Sequence, residues 1–191
     1  MSDTKTKLLD EAQALVQVRG FNAFSFKDLA QAVGIRTPSV HYHFETKSEL
    51  GEALLGRYIE ELEEQLQELD ALHSPKARLA ALIQSYRSTE SRGLACVCGS
   101  LASDVETLPE SMQRLVERYL ERTESWVATQ LEQGKRNGDF APRATSSDLA
   151  ELLVSSLQGA LFLARARGKV GSMVDSIERA FWIQVGGTST N

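Results

Sequence analysis

Two helix-start signals only twelve residues apart, with a glycine between them, constrain this chain more tightly than any other feature. Ser25 suits an N-cap, and Asp28 three residues later can return the bond as a capping box. The helix this opens, FKDLAQAV, is stopped by Gly34. Thr37 as cap and Pro38 at the first helical position then open another at once, and Thr46 with Glu49 marks a further start. Upstream, a helix is predicted from about Thr4 to Arg19, with Leu8, Ala12, Leu15 and Val16 on one face and Gly20 as its stop. Two short helices joined by a tight Gly-containing turn are a helix-turn-helix unit.

The second helix of that unit, TPSVHYHF, has an unusual surface. With side chains about 100° apart, Val40 and Phe44 share one face, and as the only large aliphatic and phenyl groups here they must pack inward. The opposite face centres on Tyr42, with Pro38 and Ser39 beside it and His41 and His43 on either flank. The two imidazoles therefore diverge, which argues against a metal ion shared between them. Hydroxyl and imidazole groups instead point outward, with Arg36 and Thr37 at the helix start. Such side chains suit phosphate oxygens and base edges, and a helix fits the major groove of a duplex.

With these signals in order, residues 5 to 55 resemble the N-terminal DNA-binding domain of the TetR family of bacterial transcriptional regulators. The matching stretches are LLDEAQALVQVRGFNAFSFKDLAQAVGI and PSVHYHFETKSELGEALL, of which Gly34 to Leu50 is the most specific. The resemblance implies an all-α homodimer whose two recognition helices enter successive major grooves of a near-palindromic operator. By position it implies base or nearby phosphate contacts from Arg36, Thr37, Ser39 and His41. Tyr42, His43 and Lys47 would hold the DNA backbone, and Ser25 and Lys27 would add phosphate contacts from the preceding helix. Two positions depart from the pattern: His41 stands where an aromatic is commoner, and Glu45 where a basic residue is frequent.

Charge agrees with a local DNA site and not with a chain that coats nucleic acid. The net charge is -5, yet residues 1–48 hold six Lys/Arg against five Asp/Glu, so the acidic excess lies entirely beyond them. Neither a signal-peptide core nor a run of about 18 apolar residues is evident, so no membrane partner and a cytoplasmic location are expected. Cys96 and Cys98 are too few and too close for a disulfide framework.

With only four prolines and apolar residues recurring at three and four, the remainder also reads as α. The expected division is a helix-turn-helix DNA-binding domain over 1–50 and a helical effector-binding and dimerisation domain over 51–191. Ile59, Leu62, Leu66 and Leu69 form a stripe on a helix that would link the two. Further helices are predicted from Pro75 to about Ser91, from Pro109 to about Asn137 where NGD breaks it, and from Ser147 to Arg167. Ser172 would cap a last helix, MVDSIERAFWIQV, before a tail, GGTSTN, that is expected to fray. The final two helices carry more apolar surface than one core needs, and Ser155, Ser156, Gly159 and Ala160 permit close approach, so homodimerisation is expected there.

For a small-molecule effector, the candidate lining residues are Tyr86, Cys96, Cys98, Met112, Tyr119, Trp126 and Phe162, each of which could equally be core. The Cys-x-Cys pair admits three readings: buried small hydrophobes, a sensor thiol with its neighbour that answers to an electrophile or oxidant, or half a soft-metal site. No Ser-His-acid order, Gly-rich phosphate loop or two-His-acid metal spacing occurs, so neither catalysis nor a cofactor is expected. The competing classes are an all-α enzyme and an interaction bundle without DNA binding.

Overall fold

Nine helices and two short 3-10 turns make up the secondary structure among the described residues, 2–168 and 171–186, of the computed structural model. The helices are α1 (Ser2–Arg19), α2 (Phe26–Val33), α3 (Thr37–His43), α4 (Lys47–Asp70), α5 (Pro75–Ser91), α6 (Val97–Ala102), α7 (Glu110–Asn137), α8 (Ser146–Arg167) and α9 (Met173–Gln184). The expected all-α class therefore holds, and residues 187–191 of the expected frayed tail lie outside the described residues. The chain forms two compact units, Met1–Leu62 with Cys96–Tyr119, and Glu63–Ala95 with Leu120–Asn191.

In the first unit, local signals set the helix ends. Gly20 closes α1 at φ 87, donating its N–H to the Val16 carbonyl at 2.9 Å. The capping box at Ser25 forms in full, and Gly34 ends α2 in the left-handed conformation at φ 77. Only glycine adopts that backbone without steric cost. The start of α3 lies one residue earlier than the sequence suggests. Arg36 holds the cap position without a side-chain bond, Thr37 is already helical, and the first turn closes from Ser39 N–H to the Arg36 carbonyl at 2.9 Å. At α4, Thr46 Oγ1 accepts the Glu49 N–H at 3.1 Å, while the Glu49 carboxylate takes the N–H of Glu45 at 2.9 Å, one residue before the usual box partner.

Leu8, Ala12 and Val16 of α1, Leu29 of α2, Val40 and Phe44 around α3, and Leu50 and Leu54 of α4 fill the core of this unit. Leu15, expected on the same α1 face, is only half-buried. α6 packs against α1, a contact that neither helix signals in its own sequence. The start of α7 lies against Gly51 of α4, where a Cβ would stand 2.5 Å from Met112 Cε. A side chain at residue 51 would require the end of the Met112 side chain, and the Phe21 ring 2.9 Å away, to shift. Arg57 on α4 reaches α1, donating to Asp10 at 2.6 Å and to Gln13 at 2.9 Å.

In the second unit α8 packs on α5 and α9, and α5 also meets α9. Leu149, Leu153, Leu157, Ala160, Leu161 and Ala164 recur at helical spacing and are buried, whereas Leu152 is half exposed. α8 is long and apolar enough by composition to cross a membrane, yet its buried stripe serves this helical core. Thr145, not a serine, caps it, accepting the Asp148 N–H at 3.1 Å. Nor does Ser172 cap α9 with its side chain. That role falls to Glu90 at the end of α5: buried, it accepts the N–H groups of Met173 at 3.0 Å and Val174 at 3.4 Å. A carboxylate at a helix N-terminus satisfies orphan donors and complements the dipole. Glu90→Ala is expected to cost about 1–3 kcal/mol by leaving those donors unpaired. Calorimetry should show the lowered melting point, and hydrogen exchange should speed up at Met173 and Val174 first. Glu90→Gln, which retains one acceptor, should lose less.

Candidate nucleic-acid interface

The side chains of α3 divide sharply by face. Val40 is fully buried and Phe44 nearly so, whereas Tyr42 is 70% exposed. Arg36, Pro38, Ser39 and His41 share that exposure, and Thr37 and His43 are half-buried at its edges. The expected outward display of hydroxyl and imidazole groups is thus present, set by the two apolar anchors.

Neighbouring contacts fix the orientation of this display. The His41 ring meets Phe26 of α2 edge-on, with centroids 4.9 Å apart, and its Nδ1 lies 3.3 Å from the Glu45 carbonyl. Since a carbonyl only accepts, this contact requires the proton on Nδ1. Tyr42 and His43 pack edge to face at 5.2 Å, which steadies the phenol at the centre of the surface.

Two expected phosphate contacts look different once their bonds are drawn. Both donors of Ser25, the backbone N–H and the hydroxyl, go to Asp28 Oδ2, so neither proton is left for a phosphate. Those bonds hold the Asp28 carboxyl below its usual range and keep it ionised. Lys47 is half-buried and donates to the carbonyl oxygens of Phe21 and Phe24. Lys27, in contrast, lies exposed on the first turn of α2.

The candidate effector residues fall into separate groups. In the first unit, Cys96 is buried with its Sγ 3.6 Å from the Tyr58 hydroxyl and 3.9 Å from that of Tyr119, and the two phenol rings stack at 5.2 Å. Cys98 is fully buried, and burial, with Cys96 adding to it, pushes its thiol well above the ordinary range. Met112 is buried against Gly51. In the second unit, the Tyr86 hydroxyl lies 3.3 Å from Gln158 Nε2, and the buried Gln158 Oε1 has no hydrogen-bond partner among the described residues. Trp126 donates to Asp70 at 3.0 Å, a carboxylate that also accepts from Gln130 at 3.3 Å, and Phe162 is half-buried. Sequence reading missed Tyr58, Gln158 and Asp70. Tyr58 precedes the buried Ile59 in the acidic α4, and nothing in its local pattern points to a partner 38 residues away.

An exposed phenol and imidazole on the second of two short, glycine-turned helices, with only helices and turns among the described residues, define a helix-turn-helix regulator. The chain belongs to the TetR family: residues 8–54 match the model for bacterial regulatory proteins of the tetR family, and residues 75–180 match a Tetracyclin repressor-like C-terminal domain. The HTH-type transcriptional repressor KstR2 of Rhodococcus jostii is 29% identical over 141 residues, which span 73% of this chain and 69% of that protein. A TetR-family regulator from Agrobacterium tumefaciens superposes with a TM-score of 0.91 at 29% identity, covering 96% of this chain and 98% of the other. A TetR regulator from Legionella pneumophila gives 0.86 at 31% identity, covering 97% and 98% respectively.

Proposed function

We propose that this protein is a transcriptional repressor that binds a palindromic operator as a homodimer and is released by a small-molecule effector. In this reading residues 1–50 read DNA and residues 51–191 hold the effector and the partner subunit. The observation that carries it is the division of α3 into a buried Val40 and Phe44 and an exposed Tyr42. Arg36, Thr37, Ser39 and His41 would read base edges or adjacent phosphates, with Tyr42, His43 and Lys27 on the backbone.

Release requires an effector-favoured state in which the two α3 helices no longer match the groove spacing. To swing a 1:99 balance to 99:1, the effector must favour that state by about 5.5 kcal/mol. Within the first unit, a physical route exists from core to DNA reader: α6 rests on α1, and Arg57 ties α4 to α1. A ligand that displaced α6 or α4 would therefore move the helix on which α2 packs. The Cys98 thiol, buried and held protonated, is poorly suited to attack an electrophile. This favours reversible binding over covalent modification at that residue.

Fluorescence anisotropy with the duplex that flanks the protein's own gene tests the proposal. A specific complex is expected at low salt, weakening steeply as salt rises because phosphate contacts release counterions. Tyr42→Ala should lower affinity roughly tenfold for every sequence alike, whereas Ser39→Ala should change the ranking of operator variants. Failure of the unaltered protein to distinguish that duplex from a scrambled one would remove the repressor reading.

A further inference from the structure

We infer that Lys5, on the first turn of α1, is a further DNA-backbone residue, which brings a cation to the phosphate that flanks the C-terminal end of α3. The inference rests on the DNA-binding reading above. It adds a contact from outside the helix-turn-helix unit.

The recognition helix itself places this ammonium. Lys5 Nζ lies 5.6 Å from the centroid of the Phe44 ring, within cation–π range. Phe44 closes α3 and directly follows His43, so the first turn of α1 stands beside the last turn of the reading helix. The core face of α1 holds it there: Leu8, three residues on, is fully buried, and Leu9 is buried beside it. Lys5 stays exposed on the turn those two residues pin. A lysine placed in this way lays its apolar stem along a ring and keeps its charged head in water.

The charge is also uncommitted. Among the described residues, none accepts a hydrogen bond from the Lys5 ammonium and no carboxylate pairs with it. Lys7, two residues on, is the contrast, because its Nζ donates to Asp3 at 2.6 Å. Contact with the face of a ring steadies an ammonium without using its N–H groups, so all three of those on Lys5 remain for phosphate oxygens. The charge pattern along α3 points the same way. Arg36 supplies a cation at the helix start, whereas the exposed Glu45 follows its last turn with a negative charge that repels phosphate. Phosphate contacts fix the register of a reader on the duplex, and a helix held at one end is free to pivot. Lys5 supplies the second hold.

Salt dependence separates a phosphate contact from a mere cover for Phe44. Each phosphate contact contributes about 0.9 to the slope of log affinity against log salt concentration. Lys5→Met keeps an unbranched apolar chain for the ring and removes the charge. It should weaken binding to the duplex flanking the gene and to a scrambled duplex alike, roughly five- to tenfold at about 0.1 M salt, and flatten the slope by about 0.9. Lys5→Arg should keep both affinity and slope. Lys7→Met, whose charge already has a partner, should change affinity by less than about twofold and the slope by less than about 0.3. A loss of stability alone lowers the active fraction and leaves the slope as it was. An unchanged slope in Lys5→Met, or equal flattening by Lys7→Met, would overturn the inference.

If Lys5→Met does not fold, amine labelling of the unaltered protein, read by mass spectrometry, decides the same question. Lys5 should label fast alone and be protected by the duplex, while Lys7 labels at the same rate with and without DNA. A saturated complex in which Lys5 still labels at its free rate removes the role of Lys5 and leaves the repressor reading standing. Failure of the unaltered protein to bind the duplex at any salt concentration removes both together.

Discussion

Truncating Phe44 to alanine is expected to destabilise the DNA reader by about 3–5 kcal/mol, the usual cost of removing a buried phenyl ring and leaving its cavity. Phe44 is 3% exposed at the C-terminal end of α3, where its N–H also closes the last turn onto the Val40 carbonyl at 2.9 Å. A seven-residue helix has almost no intrinsic stability, so α3 exists because its two apolar anchors are packed. Urea denaturation followed by circular dichroism should show the lower midpoint. Binding to any duplex should fail under conditions where the unaltered protein still binds. Tyr42→Ala, two residues away, supplies the contrast: its ring is mostly in solvent, so stability should shift by less than about 0.5 kcal/mol while DNA binding falls. A Phe44→Ala protein within about 1 kcal/mol of the original would mean that α3 is held by something other than its buried face.

That contrast also shows why the recognition helix is legible in the sequence. Its orientation depends on residues within one and a half turns of each other, and periodicity alone separates Val40 and Phe44 from Tyr42. The same holds for the capping box at Ser25 and the glycine stops, whose partners are three to five residues away. Bonds that close over long chain separations leave no such local trace. Glu90 caps a helix 83 residues on, and Ser172, which looks like the cap from its neighbours, makes no such bond. Lys47 reads locally as a basic residue at a helix start, and its bonds to the Phe21 and Phe24 carbonyls, 26 and 23 residues away, leave no mark in that pattern. Ser25 reads correctly as a cap, and that very role consumes the donors a phosphate would need. α6 has no sequence signal because VCGSLA is too short for periodicity to show and its helix is stabilised by packing on α1.

The second large effect is expected at the other end of the chain, where Ile183→Asp should convert the proposed homodimer to a monomer. Ile183 is 74% exposed, Leu152 and Leu163 are about half exposed, and all three lie on α8 or α9. Beside them runs a groove of about 160 Å³ lined by Leu152, Leu153, Ser156, Ile177, Ala180, Phe181 and Gln184. That volume is below the range of roughly 300–1,000 Å³ typical of small-molecule sites, but it suits an apolar side chain from an opposing helix. Ser156 and Ala180, small residues in its lining, let helix backbones come close. A carboxylate introduced at residue 183 would have to be desolvated on association at a cost of several kcal/mol. Since each 1.4 kcal/mol is tenfold in affinity, the dimer dissociation constant should rise by more than about 100-fold. Light scattering at micromolar concentration should then report one chain per particle. Affinity for a two-half-site duplex should fall at least as far, because two linked readers bind far more tightly than one alone. Val18→Asp makes the matching control: Val18 is about as exposed as Leu152 but lies on α1, so the same charge there should leave the assembly state unchanged. If Ile183→Asp still scatters as two chains, the α8–α9 face is not where the copies meet, and the operator-spacing mechanism loses its basis.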